Sequence, residues 1–283
     1  MVLAVGATGR LRPVVDHLLA RGHELRVTAR DPSSPGAREL ARRGAQIVRA
    51  DLDDPETLRA AATGVETLFA AGSPHQAGPA GEERHGINVA EAARDAGVAH
   101  LVFSSGAGAE RPTGVPVFDS KYAVEQRIRE LGTAYTILAP VYFMQNAFNP
   151  WNVPALAASR FPLPLPADRQ LQQLAIEDLA AVAAVVLERP GDFAGERIEL
   201  AGDQLSGRQA AAALSVVTGR RFTFQQVPRD TLPAGLRSLF DWLDRVGHRV
   251  DIPALRERFP SVRWHRFEAW AAAQEWPGDR AAA

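Results

Sequence analysis

Two glycines three residues apart, in VLAVGATGRLRPVVDHLLARG at residues 2–22, are the first residues whose spacing could do chemistry. Gly6 and Gly9 lie between an apolar run and a helical pattern. In that setting a glycine turn lets backbone approach a pyrophosphate, and the helix N-terminus favours its charge. Thr8 and Arg10 share the turn. A third glycine at the next step would complete the pattern, but the chain has Arg12 followed by Pro13. Proline disfavours helix in the residue before it and suits the first helical position, so Arg12 is expected to cap the helix and Pro13 to begin it, lengthening the phosphate-binding turn. Pro13 also removes one backbone donor, which Arg10 and Arg12 could replace with guanidinium contacts to the phosphates.

The second candidate is Arg30, with Ser33 and Ser34 close behind it, at the end of the run ELRVTA. An acid there would hold the ribose hydroxyls of NAD; an arginine suits a 2′-phosphate, because its planar fork donates paired, charge-assisted hydrogen bonds. The cofactor expected is therefore NADP(H). A solvated Arg30 paired with Asp31 is the competing reading. Asp51, in RADLDD, could accept from an adenine amino group or equally cap the helix that starts at 55. Gly72 and Ser73, after a fourth apolar run, complete the expected cofactor contacts. His75 in the loop GSPHQAG is a candidate substrate contact, although an exposed loop histidine is the commoner outcome.

The third is Lys121, the only lysine among 32 basic residues. It precedes Val124 and Ile128 by three and seven positions, so its stem shares the face that must meet a sheet. A lysine at a cleft mouth can hold ribose hydroxyls and move a proton, which an always-charged arginine cannot. A rim pairing with Glu125 at i, i+4 is the alternative. The short-chain dehydrogenase pattern Tyr-x-x-x-Lys is not complete, because Val117 stands four residues before the lysine. Ser104 and Ser105 end the fifth apolar run, where hydroxyls serve as strand-end turn residues.

These residues need a scaffold. VLAV, ELRVTA, AQIVRA, VETLFAA, HLVFSS and AYTILAP read as six strands between residues 2 and 140, separated by segments with period-3.6 faces. Gly22, Gly44, Gly64, Gly97 and Gly132 close those segments as helix C-terminal glycines. The fold class expected is α/β, a doubly wound parallel sheet over residues 1–150. A smaller lobe over 151–283, interleaved with the sheet core, is expected to close over the carboxyl ends of the strands. In that lobe the proline-rich WNVPALAASRFPLPLPADRQ reads as loop or short helix. QLQQLAI, RIELA and RFTFQQV read as strands, and EDLAAVAAVVLE and 206–218 as helices.

Composition limits the partners. A formal charge of -1 gives no concentrated positive surface for nucleic acid. There are no cysteines, so disulfides and thiolate chemistry are excluded, and with scattered histidines a metal site is not expected. No apolar run approaches the ~20 residues of a membrane span, so a cytoplasmic protein with a small-molecule substrate is expected. A homodimer is left open.

GATG, ARDP, ADLDD, GVAHLVFSSGAG and SKYAVEQRIRELGTAYTILAPVYFMQN together resemble the NmrA-like family of atypical short-chain dehydrogenases over residues 2–146. GDQLSGRQAAAALSVVTGRRFTFQQVP resembles the family's C-terminal lobe. The resemblance implies a Rossmann domain that binds NADP(H) and a smaller lobe that forms a substrate cleft. It leaves two functions open, since the family includes reductases of quinones or phenolic ethers and members that only sense the cofactor. On that resemblance Lys121 matches the family's lysine, and Ser104 the catalytic serine of the wider superfamily. Tyr142, Phe143, Met144 and Asn146 match its substrate-side turn, Tyr142 being also a catalytic candidate. Hydrophobic filling is the competing role of that turn. Ala139 stands where an arginine often precedes proline, which removes a contact to a substrate anion. The reading favoured is an NADPH-dependent reductase passing hydride to a small quinone, enone or carbonyl; the second is a non-catalytic NADP(H) sensor, and an isomerase with tightly bound cofactor stays open.

Overall fold

The computed structural model describes residues 1–6, 9–72 and 74–278, with backbone only for 74–76. Its elements run β1 (Val2–Val5), α1 (Arg12–Ala20), β2 (Leu25–Ala29), α2 (Pro35–Arg42), β3 (Gln46–Arg49), α3 (Pro55–Ala62), β4 (Thr67–Ala71), α4 (Pro74–Asp95), β5 (His100–Ser104), α5 (Pro116–Leu131) and β6 (Tyr135–Pro140). There follow β7 (Tyr142–Phe143), α6 (Val153–Ala157), β8 (Arg160–Leu163), β9 (Gln170–Leu174), α7 (Ile176–Glu188), β10 (Glu196–Leu200), β11 (Asp203–Ser206), α8 (Gly207–Thr218), β12 (Thr223–Gln226), α9 (Ala234–Arg245), α10 (Ile252–Arg258) and α11 (Phe267–Ala272). Among the described residues no helix is long and apolar enough to cross a membrane.

Seven strands form one sheet in the order β10-β6-β5-β4-β1-β2-β3. β1 to β6 pair in parallel, and the order reverses between β1 and β4, which is the doubly wound arrangement whose ligand crevice opens at that switch point. The central strands read as continuous apolar runs because both faces are covered: every residue of β1 and β5 is buried. Leu3, Val5, Leu68, Leu101, Phe103 and Ile137 pack with Val89, Ala93, Val124 and Ile128 of α4 and α5 in one core cluster. At Gly86 a Cβ would lie 2.5 Å from Val124, so the missing side chain sets how closely α4 and α5 approach. α5 ends at Gly132 in the left-handed region, φ 74°, where a side chain would be strained.

The chain divides into two compact units, Met1–Ala139 with Leu179–Glu199, and Pro140–Asp178 with Leu200–Ala283. α7 from Leu179 and β10 as far as Glu199 belong to the first unit, where β10 extends the sheet beside β6. α7 has the composition for that place, with Leu179, Ala180, Val182, Ala183, Ala184 and Val186 all fully buried. A helix apolar on nearly all sides needs cover on more than one face.

The second unit holds a three-stranded sheet, β11-β9-β7, and a two-stranded one, β12-β8. The strand β8 lies inside the proline-rich stretch read as loop or short helix. Phe161, Leu163 and Leu165 are buried, and β8 pairs only with β12, so Pro162 has no second ladder to interrupt. Ser206 caps α8 in a reciprocal box with Gln209. Aromatic side chains fill the space behind, with Trp270 against Phe148, Phe267 and Trp276.

Candidate functional site

At the carboxyl end of β1 the turn is set by Gly6, φ 72°, where a Cβ would sit 2.4 Å from the Ala71 carbonyl oxygen. No other residue fits there without moving β4. Among the described residues, a Cβ at Gly9 would meet nothing within 4 Å. The residues present fit a dinucleotide, with a glycine turn at the end of β1 and a helix N-terminus behind it. α1 begins one residue earlier than expected: Leu11 occupies the cap position and Arg12 the first helical one, with no side-chain cap bond. Proline restricts the residue before it without forbidding helix, and the Arg12 N–H donating to Gly9 O at 3.0 Å closes the turn. Arg12 stands 3.6 Å from Asp16 on the next turn, a carboxylate that Arg43 also holds.

Arg30 follows β2 and is exposed. Asp31 is bound by Ser33, whose hydroxyl and N–H donate to Oδ1 at 2.6 and 2.8 Å. Those bonds, the hydroxyl's first, hold its carboxyl below the usual range, with the charges of Arg38 and Arg49 adding to the effect. The sequence reading missed these two arginines near Arg30, on α2 and β3. Ser34 Oγ accepts from Ala37 N–H and caps α2, which leaves its own proton to donate elsewhere. The cap of α3 is Asp54, not Asp51. Asp51 instead accepts from Asp53 N–H at 3.0 Å and is exposed at the end of β3. Thr8, Ser73 and the side chain of His75 lie outside the described residues.

The end of β5 carries two different serines. Ser105 is committed, donating to Glu125 Oε1 at 2.5 Å inside a buried network in which Arg129 and Arg197 also hold Glu125. Ser104 is buried at the strand end. Glu125, 0% exposed and engaged by Ser105, Arg129 and Arg197, does not make the alternative rim pair with Lys121. Lys121 reaches α4 instead, with Nζ 2.6 Å from Glu82 Oε1; the lysine is 14% exposed and the glutamate 1%. Glu82 Oε2 accepts from Ser120 Oγ at 2.9 Å. The lysine stem lies along the segment after β5, since a Cβ at Gly106 would be 3.3 Å from Lys121 Cδ. Gly72 borders the same group, as its Cβ would be 2.7 Å from Glu82 Oε1. Glu82 is a member of this group to which the sequence reading did not point. The signal was its register, for it precedes Gly86, Val89 and Ala93 on the buried face of α4, a carboxylate in an apolar row.

The remaining candidates belong to the second unit. Tyr142 stands opposite Gln173 across β7 and β9, with its ring edge-on to Phe240 at 6.1 Å. Tyr142 and the buried Met144 line a small cavity with Asn152, Phe161, Leu163 and Gln173. Phe143 and Asn146 do not line it, and Asn146 offers its carbonyl to Asn152 Nδ2 at 3.1 Å.

Against known proteins, the NmrA-like family profile matches residues 1–248. A relative is the NAD(P)H azoreductase of Xenophilus azovorans, 34% identical over 224 residues that cover 78% of this chain and 74% of that protein. Quinone oxidoreductase 2 of Escherichia coli is 28% identical, over 84% of this chain and 82% of its own. The crystal structure of the NADPH-dependent quinone oxidoreductase from Escherichia coli, complexed with NADPH, superposes with a TM-score of 0.81 at 25% identity, covering 96% of this chain and 99% of that one. The profile spans the glycine turn, the seven-stranded sheet and most of the second unit, and the chain belongs to the NmrA-like family.

Proposed function

We propose that this chain is a cytoplasmic NADPH-dependent oxidoreductase that passes hydride to a small quinone, enone or carbonyl. The observation that carries it is the half-buried lysine of α5, held by Glu82 beside the ends of β4 and β5. The azoreductase and quinone oxidoreductase relatives support the reductase over other uses of the fold.

When bound, the reduced nicotinamide supplies two electrons and one hydrogen as hydride. The chain does the rest. Gly6 and Gly9 admit the pyrophosphate, Arg30 and Ser34 hold the 2′-phosphate, and Lys121 Nζ gives the acceptor oxygen its proton and regains one from water. Ser104 is the hydroxyl at the strand end that can share that oxygen. Without the tyrosine of Tyr-x-x-x-Lys, replaced by Val117, Lys121 is the side chain left to move the proton.

The test is a binding titration with NADPH and NADH, followed by NADPH oxidation over quinones, enones, aldehydes and azo dyes. Turnover of at least one class is expected, and Lys121→Arg should keep cofactor affinity while turnover falls roughly 100-fold, the scale of general acid-base loss. The missing tyrosine favours a second reading, a cofactor sensor. Tight binding of both cofactors with no turnover of any acceptor would establish it.

A further inference from the structure

The Lys121–Glu82 pair controls charge as well as position. Both carboxylate oxygens of Glu82 are engaged, Oε1 by Lys121 Nζ at 2.6 Å and Oε2 by Ser120 Oγ at 2.9 Å. Its stem fills the room that a side chain at position 72 would need, since a Cβ there would lie 2.7 Å from Oε1 and 3.0 Å from Cγ. The carboxylate is therefore held against Lys121, whose charge it cancels. An ammonium standing alone beside the strand ends would draw anions, whereas a formally neutral pair does not. The neighbouring carboxylate of α5, Glu125, is answered by Arg129 and Arg197 and leaves no negative charge to spare. Ala139, buried at the end of β6, supplies no second cation.

We infer that Glu82 sets the charge class of the acceptor, selecting neutral molecules over anionic ones, while positioning Lys121. This rests on the reading that Lys121 meets the acceptor. Discrimination of this kind is a difference between two affinities, and an uncovered charge is enough to reverse it.

The experiment compares kcat/KM for 1,4-naphthoquinone and its 2-sulfonate at saturating NADPH. The wild type prefers the neutral quinone. Glu82→Gln, which keeps the shape and removes the charge, should raise the sulfonate-to-neutral ratio by roughly tenfold or more. Gly72→Ala, which pushes the carboxylate off Nζ, should move the ratio the same way by less. Glu82→Asp keeps the charge, so its ratio should stay near wild type even where turnover falls. A wild-type ratio in Glu82→Gln, or in Gly72→Ala should Glu82→Gln fail to fold, overturns the inference. Lys121→Met separates the underlying reading: wild-type rates in that variant defeat the reading itself, whereas a slow Lys121→Met beside an unchanged Glu82→Gln ratio defeats the role of Glu82 alone.

Discussion

Arg30 follows β2 and is exposed, in a neighbourhood where Arg38 and Arg49 already bear on Asp31. A hydrogen bond to a charged group contributes about 1.5–3 kcal/mol, so Arg30→Ala should weaken NADPH binding by roughly 10- to 100-fold and leave NADH nearly untouched. Calorimetric titration of both cofactors checks this, and an equal loss for each would take Arg30 away from the 2′-phosphate. The places of Arg30, Gly6 and Gly9 after strand ends were legible, because local sequence carries that information. The partner of Lys121 was not. Glu82 lies 39 residues away on another helix, while Glu125 sits at the helical spacing that a one-dimensional reading favours. Glu125 turned out to serve Ser105, Arg129 and Arg197.

At the level of elements, periodicity located all six strands of the first half to within two residues, since each is bounded by a turn glycine or a helix start. Boundaries were harder. The helix α1 starts at Arg12 and not at Pro13, which puts the guanidinium at the first helical residue beside the phosphate turn. Arg12→Ala should weaken cofactor binding by about tenfold, and the remaining affinity should depend less steeply on salt, because a screened full charge has been removed. Stability should hardly change, as Asp16 keeps Arg43. Tighter binding after the truncation would show that Arg12 obstructs the turn. The strand β8 was hidden by its own prolines, and only its pairing with β12 reveals it.

The scale of the whole chain was the least legible, because an apolar strand does not say which sheet it joins. The chain passes between its units three times, at 139, 178 and 199. At the second passage the buried Asp178 accepts from His265, Nδ1 to Oδ1 at 2.5 Å, which joins two segments of the second unit. The bond to Asp178 holds the His265 imidazole above its ordinary 6.5, while burial pushes the Asp178 carboxyl above its ordinary 3.8. A raised histidine contributes stability that is complete below 6.5 and is lost as pH rises through the raised value; the raised aspartate acts in the same sense over its own lower range. The wild-type melting temperature should therefore fall on going from about pH 6 to pH 9, and His265→Gln should flatten that fall. A steeper fall in the variant would exclude the pair as its source. The route of the chain also bears on synthesis. Because β10 borders β6, the sheet lacks its outermost strand until residue 200 has left the ribosome, and until then β6 presents a bare ladder of backbone donors and acceptors to any other strand nearby. A fragment ending at residue 150 keeps every glycine and arginine of the phosphate turn, yet it is permanently in that exposed state, and it should precipitate or pair with its own copies when the full chain stays dispersed, as light scattering would record.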